Sequence, residues 1–482
     1  MRQLSDALLR ELPGKTPATQ RPTRVAMMGE GVFLRTFIAW MIDILNEKTG
    51  FNGNIAVMTP IATAPTMPFF KEQDLRYTVL LRGLDDEGKP QESARVVTAL
   101  NDIYNSYDEW RQCLALFALP DLRFLFSNTT EAGIAWGDDA PDDAPPATYP
   151  GKLAALLRHR FVQGLPGMHI IPCELIDLNG QKLRELVLRH LRAWNDEAAA
   201  AWVESQCTFT DTLVDRIVTG YPREEIDVLT DKLGYEDKLL TTGEAFGLFV
   251  LRDGPARAEL PFEEAGLPVI WTPDIAPYRE RKVRILNGAH TLLAAIAPAC
   301  GVQTVREAVE DADLSRYLLA AMQQEILPGL DLPEDEKQQY AQTILSRFAN
   351  PYMAHRLESI ALNAVSKFIV RVGPSIVDTA RITGRVPQRL AFGCAAQITA
   401  VRSKRDADAA PIAHLWGRGA PMSFGTSHLS REALEKIAYA AVSQEPWAAL
   451  GQVEGFAEAV AAHMVRIQAI GMREALEGLN DA

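Results

Sequence analysis

Cysteine is scarce in this 482-residue chain: Cys113, Cys173, Cys207, Cys300 and Cys394 lie far apart, with no C-x-x-C pair and an odd total. Such a set makes no disulfide framework and fits a reducing compartment, each thiol serving as a small buried hydrophobe. The eight histidines show no H-x-H or H-E-x-x-H spacing, so a metal site has no local support. Long apolar runs are missing too. No window approaches the roughly 18 uninterrupted apolar residues of a membrane span, and the opening MRQLSDALLRELPG scatters charge where a signal peptide needs an apolar stretch. A cytoplasmic location is expected. Basic charge is in deficit, with Lys+Arg 49 against Asp+Glu 62 and a formal net charge of −13. That balance argues against nucleic acid and anionic membranes, which need a basic face to displace counterions. A small anionic ligand is still allowed, because a local cluster can oppose the global field. What is present, 47% hydrophobic and 23% charged residues, describes a globular protein of two or three domains. A small-molecule partner and a monomer or small homo-oligomer are expected.

Along the chain, Arg24-Val-Ala-Met-Met28 reads as a short buried strand, followed by Gly29-Glu30-Gly31 and a helical stretch, Val32 to Leu45, with Phe33, Phe37, Trp40 and Met41 three or four apart. Strand, glycine turn and helix open a nucleotide-binding βα unit. Ile55–Met58, Phe124–Phe126 and Ile170-Ile171 read as further strands. GDDAPDDAPPATYP, residues 137–150, reads as a solvated loop, and Lys182 to Trp194 as an amphipathic helix after the loop Asp177–Gly180. Beyond about residue 275 helical periodicities dominate, among them Ala289–Pro298, Leu314–Ile326 and Phe456–Leu476. The expected architecture is an α/β Rossmann-type N-terminal domain over 1–275 and a mostly α-helical C-terminal domain over 276–482.

The glycine pair alone is a weak signal, since the third glycine of the dinucleotide fingerprint is absent. Its place between strand and helix suits a pyrophosphate at the helix N-terminus, with a purely structural turn as the alternative. Arg35 adds a phosphate contact or is a surface helix residue. Where an acid would grip a ribose diol, the chain has Met58-Thr59-Pro60, and no Arg replaces it, so the residues do not choose between NAD and NADP.

Glu280-Arg-Lys282-Val-Arg-Ile-Leu-Asn287-Gly-Ala-His290 is the most informative segment. On an α-helix Lys282, His290 and Asn287 fall at about 0°, 80° and 140°, within one face. Those groups suit reversible hydride transfer at a secondary alcohol. A lysine of tunable pKa moves the proton, an amide donates to the developing alkoxide, and an imidazole orients substrate hydroxyls. The competing view is a solvated lysine, a helix-end asparagine and a partly buried histidine.

The K-x-x-x-x-N-x-x-H spacing resembles the signature of the mannitol dehydrogenase family, the polyol-specific long-chain dehydrogenases and reductases. Gly29-Glu-Gly-Val-Phe33-Leu-Arg35 resembles its G-x-G-x-F-x-R turn, Val214-Asp215-Arg216-Ile217 its V-D-R-I block, and Arg347-Phe348-Ala-Asn350-Pro351 its R-F-x-N-P block. Phe126-Ser-Asn128-Thr-Thr-Glu131-Ala-Gly133 and Pro172-Cys-Glu174-Leu-Ile-Asp177-Leu-Asn179-Gly180 are most similar to members that act on sugar acids. The resemblance implies a metal-independent, NAD-linked oxidoreductase whose substrate, a sugar acid, lies between the two domains. It implies Lys282 as general acid and base, Asn287 with Asn179 as the pocket for the carbonyl oxygen, and His290 on substrate hydroxyls. Cofactor contacts are expected from Val25, Met28, Gly29, Glu30, Gly31, Val32, Phe33 and Arg35, with Asn128 and Glu131 near the nicotinamide. Asp215 and Arg216 are expected to hold the domains together. Lys367 and Arg371, four apart on one helix face, make a plausible clamp for the substrate carboxylate, with His355 and Arg356 as further candidates. The alternatives are a sister activity on an epimeric keto acid or a polyol, and a non-catalytic NAD-binding sensor. The full Lys282, Asn287 and His290 set argues against the sensor, because a pure binder needs no proton donor.

Overall fold

Thr23–Met28 (β1) is covered on both faces. Val25 and Met27 enter one apolar cluster with Phe37, Val57 and Phe124, while Ala26 and Met28 enter another with Leu125, Leu153 and Ile170. A strand apolar on both sides belongs inside a parallel sheet. The computed structural model describes residues 1–12, 19–85, 88–353, 355–402, 404, 406–416 and 429–481, except for the side chain of Glu131. The chain forms two compact units, the first built from Met1–Asp85 and Lys89–Ile275, the second from Ala276–Ala482.

In the first unit β1 is joined by Asn54–Thr59 (β2), Leu100–Asn105 (β3), Phe124–Ser127 (β4), His169–Pro172 (β5) and Thr208–Phe209 (β6), all parallel, in the order β3-β2-β1-β4-β5-β6. This is the strand order of dinucleotide-binding sheets, in which the crevice opens at the carboxyl ends of the two strands where the order reverses, here β1 and β4. After β1 the chain turns into one continuous helical stretch, Val32–Leu34, a π segment Arg35–Ala39, and Trp40–Lys48 (α1). Asn179–Ala193 (α2) follows β5 and begins at Asn179, so the expected loop gives up its last two residues to the helix.

Two smaller sheets are not evident in the periodicity. One orders the strands Val218–Gly220, Thr241–Glu244, Tyr77–Leu84 and Pro90–Val97; the other orders Val269–Thr272, Leu248–Arg252 and Thr212–Asp215. The Asp- and Pro-rich loop is also more ordered than a solvated tract. The Asp139 side chain is 3% exposed and accepts from the amides of Ala147 and Thr148, so the loop folds around a buried carboxylate.

The second unit is helical. Ala276–Arg281 (α3), a π turn over Lys282–Asn287 and Gly288–Ile296 (α4) run continuously, followed by Glu334–Phe348 (α5), Leu357–Ile360 (α6), Ala364–Arg371 (α7), Gly373–Thr383 (α8) and Gln388–Ala400 (α9). Ala276–Cys300, 25 residues, is long and apolar enough to cross a membrane by length and composition alone, which composition did not lead us to expect. Its most apolar window is 72% buried inside the protein, where Ile285, Leu292, Leu293 and Ile296 pack in the core of the helical unit. The helix expected to run from Phe456 to Leu476 stops at Ile470: Gly471 has φ 87°, a conformation open to glycine at little cost, and Met472–Asn480 starts anew.

Candidate active site

The first unit presents a helix start at the carboxyl edge of its sheet. Gly29 adopts φ 124°, its amide donates to Met58 O at 2.8 Å, and a Cβ there would lie 3.3 Å from Leu34 Cδ1 and 3.5 Å from Asn128 O. Gly31 caps the helix without a side chain, and a Cβ on it would meet nothing within 4 Å. The first helical amides, at Val32, Phe33 and Leu34, have no acceptor within the helix and open onto that space. Backbone donors, a helix dipole and the sheet's reversal point together fit the pyrophosphate of a dinucleotide.

Several expected contacts are otherwise employed. Val25 lies four residues before Gly29, about 13 Å back along the strand, and is fully buried in the core, as is Met28. Both side chains pack in the core beneath the turn. Arg35 is neither a surface residue nor directed at a phosphate. It is 5% exposed, donates through Nε to Glu30 O at 3.1 Å and through Nη1 to Leu239 O at 2.6 Å, and lies over the rings of Phe70 and Tyr77. It braces the glycine turn from behind. Burial pushes the Glu30 carboxyl up from its ordinary value, and Phe33 packs on Phe37 at 5.2 Å between ring centroids. At the end of β2, Thr59 is buried and donates to Ile61 O at 3.3 Å. Arg216 is held inside the first unit by Phe246 O at 2.9 Å and Thr36 O at 3.2 Å, and burial lowers its pKa to about 10.

After β4 the turn is organised by a residue the sequence did not single out. Glu174 is 2% exposed and accepts from Ser127 Oγ at 3.0 Å, the Thr129 amide at 2.9 Å and Thr129 Oγ1 at 3.0 Å; burial raises its pKa. Asn128 donates to Cys173 O at 2.8 Å, and Thr130 is held at φ 74°, a strained value for a β-branched residue. Glu131 opens a single 3-10 turn, Glu131–Gly133, and its side chain lies outside the described residues. An acidic residue directly after an apolar strand run, here Ile170-Ile171-Pro172-Cys173, was the available signal for Glu174.

Asn179 is fully buried and fully engaged. Its amide nitrogen donates to Pro172 O (3.0 Å), Glu174 O (3.1 Å) and Thr212 Oγ1 (3.0 Å), and its oxygen accepts from the amides of Gly180 and Thr212, each at 2.9 Å. A carboxamide whose donors already serve three buried acceptors has no hydrogen left for a substrate oxygen. Its role here is to tie β5, α2 and the strand Thr212–Asp215 together.

In the second unit the uniform α-helical turn assumed from sequence is replaced by the π turn over Lys282–Asn287. A π turn bonds i to i+5. It therefore carries Asn287 closer over Lys282 than the about 140° an α-helix would leave. Both side chains are half-buried. Arg284, in the middle of the turn, is 1% exposed and reaches Ser375 Oγ (3.0 Å), Gly329 O (3.0 Å), Asp378 (2.9 Å) and Glu280 (2.8 Å), which anchors the turn to α8 and its surroundings.

His290 is 6% exposed, stacks on Phe348 at 4.4 Å and meets His355 edge-on at 4.8 Å. Burial, with lesser contributions from His355, Arg347 and Arg371, pushes its pKa well below the ordinary value, so the ring is neutral at neutral pH. Its Nε2 has no hydrogen-bond partner among the described residues. Burial lowers His355 as well. Arg371 donates to Thr291 Oγ1 at 3.5 Å, and that hydroxyl donates to Asn287 O at 2.9 Å, so Arg371 stands beside the His290 turn. Lys367, four residues earlier, points its ammonium at Ile360 O, 3.1 Å away at the end of α6. Of the expected Lys367–Arg371 clamp, Lys367 thus has a contact at a helix end and Arg371 one beside the His290 turn, and Arg347 also acts on His290. Arg356 is exposed, and its backbone pairs with that of Thr304 in an isolated antiparallel β-bridge.

Comparison with known proteins matches residues 23–263 to the mannitol dehydrogenase Rossmann domain and residues 274–468 to the mannitol dehydrogenase C-terminal domain. Proteins named altronate oxidoreductase from Shigella flexneri and Escherichia coli are 42% identical over 481 residues, covering 96% of this chain and 98% of theirs. A substrate-free D-sorbitol dehydrogenase structure superposes with TM-score 0.83 at 22% identity, over 98% of this chain and all (100%) of that one. A Pseudomonas fluorescens mannitol 2-dehydrogenase, solved with NAD and D-mannitol, superposes with TM-score 0.75 at 22% identity, over 99% of each chain.

Proposed function

The chain belongs to the mannitol dehydrogenase family, oxidoreductases of secondary alcohols, and on that footing we propose that it interconverts D-tagaturonate and D-altronate with NADH and NAD. The observation that carries this is the 42% identity, sustained over 96% of the chain, to relatives named altronate oxidoreductase. When bound, NADH supplies the hydride that reduces the keto carbon. The Lys282 ammonium delivers the proton to the carbonyl oxygen, and in the oxidative direction the neutral amine removes it. Asn287, brought over Lys282 by the π turn, donates to the oxygen as charge develops there. His290, neutral and with Nε2 unpartnered among the described residues, holds a substrate hydroxyl.

A sugar acid differs from a polyol by a carboxylate, and Arg371 and Arg347, the cations that bear on His290, supply the complementary charge. Asn179 is left out of the proton and oxyanion chemistry because its carboxamide is saturated. The open helix start at Gly31 takes the cofactor pyrophosphate. Five cysteines without a disulfide support a cytoplasmic enzyme. The test is oxidation of NADH and of NADPH with tagaturonate, fructuronate and fructose in parallel. NADH with tagaturonate is expected to give the highest kcat/KM; preference for fructuronate would move the protein to the sister activity, and silence in all six combinations would favour a non-catalytic binder.

A further inference from the structure

Two features at the carboxyl edge of the first unit's parallel sheet are costly to build. Glu174, two residues past β5, buries its carboxyl group, which is tolerated only when the oxygens are well served. Oε2 accepts from Ser127 Oγ at 3.0 Å, and Oε1 accepts from the Thr129 amide at 2.9 Å and from Thr129 Oγ1 at 3.0 Å. The next residue, Thr130, sits at φ 74° and ψ 166°, a region that only glycine enters freely. A strand end needs neither feature. An exposed polar residue would serve in place of Glu174, and a glycine would relieve Thr130.

Both costs fall on one stretch, residues 127–130, which leaves β4 beside the glycine turn of β1. The Asn128 amide donates to Met28 O at 3.4 Å, its side chain donates to Cys173 O at 2.8 Å, and its carbonyl oxygen lies 3.5 Å from where a Cβ on Gly29 would stand. The order of the sheet reverses at β1 and β4, so this stretch and the glycine turn are the two lips of the crevice in which such sheets hold a dinucleotide. Strain kept at that place, with a buried carboxyl to hold it, fits a wall set in advance for a ligand. A matched carboxyl lies at the other end of the sheet. Asp43 of α1 is also buried and accepts from the Thr98 amide at 2.7 Å and Thr98 Oγ1 at 3.1 Å, but Thr98 precedes β3, at the amino edge.

We propose that Glu174 is a positioning residue for the dinucleotide: it holds residues 127–130 as the β4-side wall of the crevice without touching the cofactor itself. The inference rests on the NAD-dependent reading above. The test is NADH binding to the intact protein, followed by fluorescence with no substrate present, beside the melting midpoint of each variant. Glu174→Ala should weaken NADH at least about tenfold, because the preset wall is lost. Glu174→Gln should stay within about twofold of the parent, since its oxygen can take both Thr129 donors and its amide nitrogen can donate to Ser127 Oγ. Asp43→Ala should lower the midpoint and leave NADH affinity unchanged. Thr129→Val removes a single hydroxyl and should weaken NADH about three- to fivefold; it decides the matter if Glu174→Ala does not fold. Parental affinity in Glu174→Ala, or in Thr129→Val where that variant decides, would overturn the proposal. So would equal weakening in Asp43→Ala, or a Glu174→Gln as weak as Glu174→Ala. A wild-type protein that binds no NADH would overturn the NAD-dependent reading, and this inference with it.

Discussion

Asn179→Ala separates two roles for one buried side chain. A donor to the substrate oxygen predicts a slower enzyme of normal stability; the observed bonding predicts the reverse. Five hydrogen bonds end on this carboxamide. After truncation, Pro172 O still accepts from Thr212 Oγ1 at 2.6 Å, and Glu174 O still accepts from the Ile176 amide at 2.8 Å. The amides of Gly180 and Thr212 lose the oxygen that satisfied them. At about 1–3 kcal/mol for each buried donor left unmet, the loss is about 2–6 kcal/mol. For a unit of this size that is a fall of roughly 5–20 °C in melting midpoint. The assay is thermal denaturation beside kcat per folded molecule, measured well below the variant's midpoint. We expect a large fall in midpoint with kcat within about threefold of the parent. A wild-type midpoint together with kcat lowered 100-fold would refute the argument and return Asn179 to the oxyanion pocket.

Lys282→Ala should lower kcat by about 10² to 10⁴, the usual contribution of a positioned acid or base, while NADH binding measured by fluorescence quenching is retained; an unchanged rate would remove Lys282 from the proton transfer. Arg371→Ala should raise KM for the sugar acid far more than for an uncharged ketohexose, and equal effects on both would eliminate the carboxylate contact. His463 gives a pH prediction. Burial first, and Arg466 second, lower its pKa to about 4, against about 6.5 when unfolded. Below pH 6.5 the unfolded chain takes up a proton that the folded chain refuses, so stability falls as the pH drops from about 6.5 to 4, by up to about 1.4 kcal/mol per pH unit. Urea denaturation at pH 7 and pH 5 should therefore show a smaller acid penalty in His463→Asn than in the parent; identical penalties would contradict the assignment.

The contrast between legible and illegible features follows from distance along the chain. β1, β2, β4 and β5 stand out in the sequence because a strand buried on both faces must be an unbroken apolar run. β3 escapes because Asn101 and Asp102 interrupt it, and β6 because it is two residues long. Lys282, Asn287 and His290 can be grouped from sequence, since one helix carries all three. The turn that aligns them cannot, because its anchor Arg284 is held by Gly329, Ser375 and Asp378, 45, 91 and 94 positions away.

Sequence by itself determined the order of the architecture, the glycine turn and the chemistry of the Lys, Asn and His set, all consequences of local pattern and residue type. Tertiary structure alone decided which polar groups remain available. Arg35 spends its guanidinium on a carbonyl 204 residues away, Asn179 its amide on a strand 33 residues away, and Lys367 its ammonium on a helix end, whereas His290 keeps a ring nitrogen unpartnered among the described residues. A buried donor or acceptor binds whatever the fold brings to it, and that pairing is set by packing between distant segments, which no single stretch of sequence encodes.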